Sequence, residues 1–201
     1  HNTLGGSGSF SVPAKSSYEF CMPSQSGAHF YTNSGDVFFA ISTIDSDSYD
    51  NDAHDWGFSL TPESYLTVSA TIGWGPGSNG AGNGSPAWVT AISPTTLYVD
   101  YDGDPTTGSL TDLAGNQYDI DYSLSAFESK RIYDLSDNDQ TGMFLYTLDG
   151  TLISAAWGQD PATAAPGNPY LDFGTTVPPI RKVFAYKTFE HTTDNNSNGL
   201  I

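Results

Sequence analysis

The chain has 201 residues, 13% of them aromatic, and carries 23 acidic against 6 basic side chains for a formal net charge of −17. This is apolar material enough for one β domain with an appendage, and it argues against disorder. The charge leaves no basic footprint for nucleic acid or anionic headgroups, and no window reaches the roughly 18 apolar residues of a membrane-spanning helix.

The chain opens at His1 without Met, consistent with a processed precursor or an excised fragment. Short alternating runs, with no sustained 3.6-residue period, predict strands at residues 17–22, 29–31, 37–43, 56–60, 65–73, 87–92 and 96–101. Further strands are predicted at 117–123, 126–133, 142–148, 151–157 and 182–192, with Gly, Pro, Asn and Ser clusters such as 75–86 and 160–169 between them. Many short strands at this spacing predict an all-β fold, a β-sandwich of jelly-roll type. Cys21, the single cysteine, allows no internal disulfide; its place in an alternating run predicts a buried, inert thiol. Leu148-Asp149-Gly150-Thr151 predicts a hairpin with a type I′ turn, because Asp-Gly lies between two apolar runs. Residues 175–179 read as a linker, so the sandwich is assigned to 1–179. Residues 180–201 are left as an extension strand and a calcium-type loop, either the start of another module or a strand given to a neighbour.

The acids are almost all one kind: 19 Asp against 4 Glu. Asp favours turns and caps, and its short carboxylate suits compact metal loops. The last eight residues, Asp194-Asn195-Asn196-Ser197-Asn198-Gly199-Leu200-Ile201, place oxygen-bearing side chains at positions 1, 3 and 5 and Gly at 6. That is the opening of an EF-hand-type loop, with Asp194, Asn196 and Asn198 as candidate calcium ligands. Asp100, Asp102 and Asp104 alternate as the chain leaves a predicted strand, which puts their carboxylates on one side, roughly 7 Å apart. Asp45, Asp47 and Asp50 form another cluster, and Asp134, Asp137 and Asp139 a further one. Turn chemistry alone would produce one such cluster; their number points to bound calcium as a loop staple.

Trp-Gly occurs at 56–57, 74–75 and 157–158, each at a strand end. As structural residues these tryptophans cap sheet edges while Gly supplies a positive φ. As functional ones, Trp74, Trp88 and Trp157 would stack on sugar rings. Enzyme signatures are weaker. His1, His29, His54 and His191 lack metal-site spacing, and Ser7-Gly8-Ser9 and Asn83-Gly84-Ser85 lack the strand–turn–helix context of a nucleophile elbow.

Three blocks carry a resemblance. They are Tyr98-Val-Asp-Tyr-Asp-Gly-Asp-Pro-Thr-Thr-Gly108, Asp137-Asn-Asp-Gln-Thr-Gly142 and Asp149-Gly-Thr-Leu-Ile-Ser-Ala-Ala-Trp-Gly-Gln-Asp160. Over roughly residues 37–175 the chain resembles a module of very large bacterial cell-surface proteins, and is distantly similar to bacterial relatives of the IgGFc-binding protein N-terminal domain. Residues 182–201 resemble the opening of the Ig-like repeats that follow such modules. The resemblance implies a structural or adhesive role on the cell surface and no catalytic residues.

The reading is therefore a non-catalytic, extracellular, calcium-stabilised structural or adhesive module. Its expected partners are copies of itself or neighbouring repeats of the same surface protein, assembling as a filament or sheath by β-strand addition. A calcium-dependent carbohydrate-binding module is the alternative, with glycans as partners.

Overall fold

The computed structural model describes residues 6–23, 25–44, 56–73, 75, 86–158 and 174–180. The predicted strand at 182–192, and Asp45, Asp47, Asp50, Trp74, Asp194, Asn196 and Asn198, lie outside the described residues. In chain order the strands are β1 (Ile41–Ile44), β2 (Trp56–Ser59), β3 (Ser69–Thr71), β4 (Ala87–Ala91), β5 (Thr95–Asp100) and β6 (Leu110–Thr111). They continue with β7 (Gln117–Tyr118), β8 (Ile120–Leu124), β9 (Ser129–Ile132), β10 (Phe144–Tyr146), β11 (Ile153–Gly158) and β12 (Gly174–Val177). Two antiparallel sheets, in the orders β3-β10-β5-β8 and β12-β11-β4-β9, form an all-β sandwich; β1-β2 and β6-β7 are small pairs beside it.

Alternation builds the core. In β4, Ala87, Val89 and Ala91 are buried while Trp88 and Thr90 are half-buried, the period of a strand with one face inward. Leu97, Val99 and Leu145 of the first sheet meet Val89, Ile132, Ile153 and Trp157 of the second in one apolar cluster. The chain changes sheet at most connections: β3 to β4, β4 to β5, β8 to β9, β9 to β10 and β10 to β11. Neighbours in sequence are thus seldom neighbours in a sheet, and stability rests on contacts between distant segments.

Three sequence expectations change. The Asp149-Gly150 turn is not a hairpin, because β10 pairs with β3 and β5 whereas β11 pairs with β4 and β12. Gly150 has φ +86° and Asp149 is not in the left-handed region, so the type I′ requirement of two positive φ values is unmet. The turn arches from one sheet to the other. Residues 175–177 are likewise strand rather than linker: β12 runs along β11 with Ala155 opposite Val177, and Val177 is buried. Thr and Val favour the pleated conformation, and the two prolines end the strand only after Val177. The runs at 17–22 and 29–31 form no strand, and Cys21 is exposed. Alternation there lacks a sheet edge to pair with, so it does not produce burial.

The segment containing residues 25–27 does join the body. Ser26 forms an antiparallel bridge with Glu128, the Gly27 N–H donates to the Phe127 carbonyl at 2.6 Å, and the Ser129 N–H donates to the Gln25 carbonyl at 3.0 Å. Gly27 passes so close over Thr90 that a Cβ there would collide with the threonine side chain. Gly27→Val is expected to lift this strap. Protease cleavage within residues 6–31 should accelerate several-fold, while the sandwich loses no more than about 1–2 kcal/mol in denaturant melts. Unchanged cleavage would show that the strap does not depend on this close approach.

Candidate functional site

The sequence points to the aspartate loops, and the loop after β5 is the most fully built. Asp100, at the end of β5, is only 2% exposed, and its Oδ1 accepts the Gly103 N–H at 2.9 Å. Asp102 Oδ1 accepts the Asp104 N–H at 2.9 Å, and both of its oxygens take the Thr107 hydroxyl at 3.0 and 2.9 Å. Asp104 Oδ1 in turn accepts the N–H and hydroxyl of Thr106 at 3.0 and 2.6 Å. Gly103 sits at φ +69°, and a Cβ on it would fall 2.5 Å from the Gly142 carbonyl oxygen, so glycine is required both for the turn and for the close approach.

The carboxylates of Asp100 and Asp102 share a hydrogen bond, closer than the separation expected of alternate strand residues, because the chain leaves β5 at Asp100 and turns, whereas Asp104 turns to its own threonine. Burial, followed by the hydrogen bond shared with Asp102, pushes the Asp100 carboxyl up to about 6. The charge of nearby Asp119, whose Oδ2 accepts the Tyr101 N–H at 2.8 Å, adds to the rise. Asp102 is held below the usual carboxylate range by the Asp104 N–H and then the Thr107 hydroxyl. Below pH 6 a protonated Asp100 can donate to an ionised Asp102; above it the two negative charges confront each other, a position a cation would relieve. Among the described residues, no three or more His, Cys, Asp or Glu side chains are gathered in a way that would hold a metal ion. The donor set at this loop is therefore a pair of carboxylates, largely occupied by loop N–H and hydroxyl groups.

The same ring recurs across the structure. Asp112, Asp134, Asp137, Asp139 and Asp149 each accept the N–H of the residue two ahead, at 2.7–2.9 Å. Glu, one methylene longer, does not close this ring as well, which gives the Asp preference a purely local cause. Asp112 goes further. At 8% exposure its carboxylate accepts the Ala114 and Asn116 N–H groups, the Asn116 side-chain amide at 3.0 Å and the Tyr146 hydroxyl at 2.8 Å. Burial raises its pKa, but Asn116, Tyr146 and the backbone donors outweigh burial and leave it lowered. Tyr146 stacks on Tyr98 at 5.2 Å, and Tyr98 meets Tyr118 edge-on at 5.0 Å, so the carboxylate pins a tyrosine cluster. In the sequence Asp112 is only one more Asp, and nothing local marks its distant partner.

The tryptophans do not gather. Trp157 lies in the apolar core at 5% exposure and leaves no face open for a sugar. Trp88 is half-buried on the outer side of β4, between Ala156 and Arg131 of the flanking strands. A shallow depression of about 300 Å³ lies beside Thr96, Tyr98, Leu113, Leu148 and Asp149. Its carboxylate is already engaged by the Thr95 hydroxyl at 2.8 Å and the Thr151 N–H.

Aromatic exposure lies elsewhere, at Phe10 and in the runs at 17–22, 29–31 and 37–43 that alternation predicts as strands. Phe10 stacks on Tyr18 at 4.2 Å and on Phe20 at 6.2 Å, and Phe20 meets Phe30 edge-on at 5.6 Å. Phe10, Tyr18 and Phe20 remain 44–54% exposed, and Val37, Phe38 and Phe39 are more exposed still. A contiguous apolar row of this kind marks an interaction surface more often than isolated apolar side chains do.

No family model matches the chain, and no curated protein or solved structure is significantly similar to it.

Two predictions follow from the loop chemistry. Asp100 has a folded pKa above its unfolded value, so its contribution favours folding below about pH 4 and is lost as pH rises through 6. In chelator, Asp100→Asn should therefore raise stability at pH 8 by on the order of 1–2 kcal/mol and do little at pH 4; equal effects at both pH values would refute the assignment. Tyr146→Phe should cost about 1–2 kcal/mol, and Asp112→Ala, which orphans several donors, about 2–4 kcal/mol. Denaturant titration of the two variants checks the order.

Proposed function

We propose that the chain is a non-catalytic structural or adhesive module of an extracellular surface protein, working through contacts with copies of itself or with neighbouring modules. The observation that carries this reading is the row of Phe10, Tyr18 and Phe20, stacked on one another and left outside the core. Three large apolar rings held in order at a surface are costly in water and gain when another surface covers them. The surface location is carried over from the resemblance of residues 98–108, 137–142 and 149–160. A sugar-binding role finds less support, since Trp157 is a core residue.

Calcium is proposed as a loop staple at the Asp100–Asp102 pair, where it would separate two confronted carboxylates and cross-link the loop after β5. It would supply charge neutralisation and no chemistry. Millimolar calcium should raise the melting temperature relative to chelator by several degrees, given about 2–4 °C per kcal/mol for a domain of this size. Asp102→Ala should abolish the increment. Identical melts with calcium and chelator would remove calcium from the proposal and leave the structural role in place.

The structural role is tested by placing a photo-crosslinking amino acid at Phe39 or Tyr18. Crosslinks to a second copy or to an adjoining module are expected, and Phe10→Ser/Phe20→Ser should reduce them at least tenfold without lowering the melting temperature. Crosslinks confined to the chain's own body would overturn the reading.

A further inference from the structure

Among the described residues three side chains carry Lys or Arg charge, and two of them lie on the body. Lys130 sits over the Tyr122 ring at 4.4 Å and Arg131 over the Tyr133 ring at 5.3 Å. The third, Lys15, is exposed at the apex of a turn in the N-terminal arm. That turn holds it outward. The Ser16 N–H and hydroxyl both donate to the Pro13 carbonyl, at 3.1 and 2.6 Å. Phe10 and Tyr18, one on each leg of the arm, stack at 4.2 Å and close the legs together. Phe20 meets Phe30 edge-on, and the bonds of residues 25–27 to Phe127 and Ser129 fix the base.

Lys15 has φ +62°, the left-handed region, where a Cβ is strained and turns usually place Gly or Asn. Glycine would make the same turn at lower cost, so the turn itself does not account for a lysine at its apex. A strained residue held at a surface points to a use for its side chain.

The depression beside β5 has the complementary chemistry. It is lined by Thr96, Tyr98, Leu113, Leu148 and Asp149, around about 300 Å³. Leu113 is 95% exposed although its turn is pinned by the buried Asp112, and Leu148 is 41% exposed. Two apolar walls presented to water suit the aliphatic stem of a lysine. Asp149 is held below the usual carboxylate range by the Thr151 N–H, so it is charged at neutral pH. Its oxygens each accept one hydrogen bond, from Thr151 and Thr95, and keep lone pairs for an ammonium group. The Tyr98 ring, stacked on Tyr146, adds a π surface beside that carboxylate.

We infer that the Lys15 apex of one copy docks in the Asp149 depression of a second copy, its stem between Leu113 and Leu148 and its ammonium group on Asp149. In its own chain Lys15 does not line the depression. Charge selects the occupant: on a chain of net charge −17, the arm presents a cation to a carboxylate that needs one. This rests on the structural-module reading and names its partner. Arm and depression are different surfaces, so the contact is heterologous and repeats into an open row of copies.

Sedimentation velocity of the full chain over a concentration series tests the inference, with Lys15→Gly and Leu113→Lys as variants. The wild type should form a ladder of concentration-dependent species. Lys15→Gly keeps the turn and relieves its φ, so the melting temperature should hold or rise while association weakens about tenfold. Leu113→Lys replaces an exposed side chain and sets a like charge at the rim, with the same loss. Each variant keeps one intact half, so an equimolar mixture should recover association and stop at pairs. In that mixture, isotope-labelled Lys15→Gly should show shifted amide signals at Thr96, Tyr98, Leu113, Leu148 and Asp149. A Lys15→Gly chain that associates like wild type, a mixture that stays apart, or shifts that miss the depression would each overturn the proposal. So would signals of the depression that respond to free hexoses and not to the second copy. A wild type that stays monomeric would overturn it as well, while Tyr18 crosslinks to an adjoining module would still uphold the structural role.

Discussion

The rims of the sandwich depend on one short ring, in which an aspartate carboxylate accepts the N–H of the residue two positions on. It closes the turns at residues 102–106, 112–114, 134–141 and 149–151. The chain changes sheet at most of its connections, and at two of them, β9 to β10 and β10 to β11, the ring takes up backbone donors of the turn that would otherwise go unpaired. With Cys21 the sole cysteine, no internal disulfide can fix these reversals. The carboxylates do so instead, and Asp112 extends the device by tying its turn to Tyr146 on a strand far away in sequence.

This accounts for what could be read from the sequence. Alternation located β4, β5 and β8 because each buries one face, and burial is what alternation encodes; β9 and β11 were located too, although β11 is buried on both faces over its last four residues and β9 buries only Ile132. It failed at residues 17–22, where the same alternation is present but no edge is offered, so the apolar groups stay at the surface. It failed at β12 in the opposite sense: glycine and proline beside two threonines look like a linker, yet Val177 supplies the burial and the free side of β11 supplies the pairing. Both errors share a cause. Whether a run becomes a strand depends on a partner edge, which is tertiary information.

The Asp149-Gly150 turn shows the same limit at finer scale. An Asp-Gly pair specifies a reversal and a positive φ at Gly150, and both are present. It does not specify whether the two arms pair with each other or with other strands. Here they go to different sheets, because β10 is taken by β3 and β5 and β11 by β4 and β12. The aspartate bias was legible in a similar half-sense: its concentration in turns follows from the ring it closes, while the pairing of Asp100 with Asp102 depends on a burial that only the packed structure supplies.

Charge and edges then bear on each other. A chain of net charge −17 repels copies of itself, which guards its sheet edges against indiscriminate pairing. Asp121 on the exposed side of β8 adds to that guard locally. An incoming strand of ordinary acidic composition would therefore be refused.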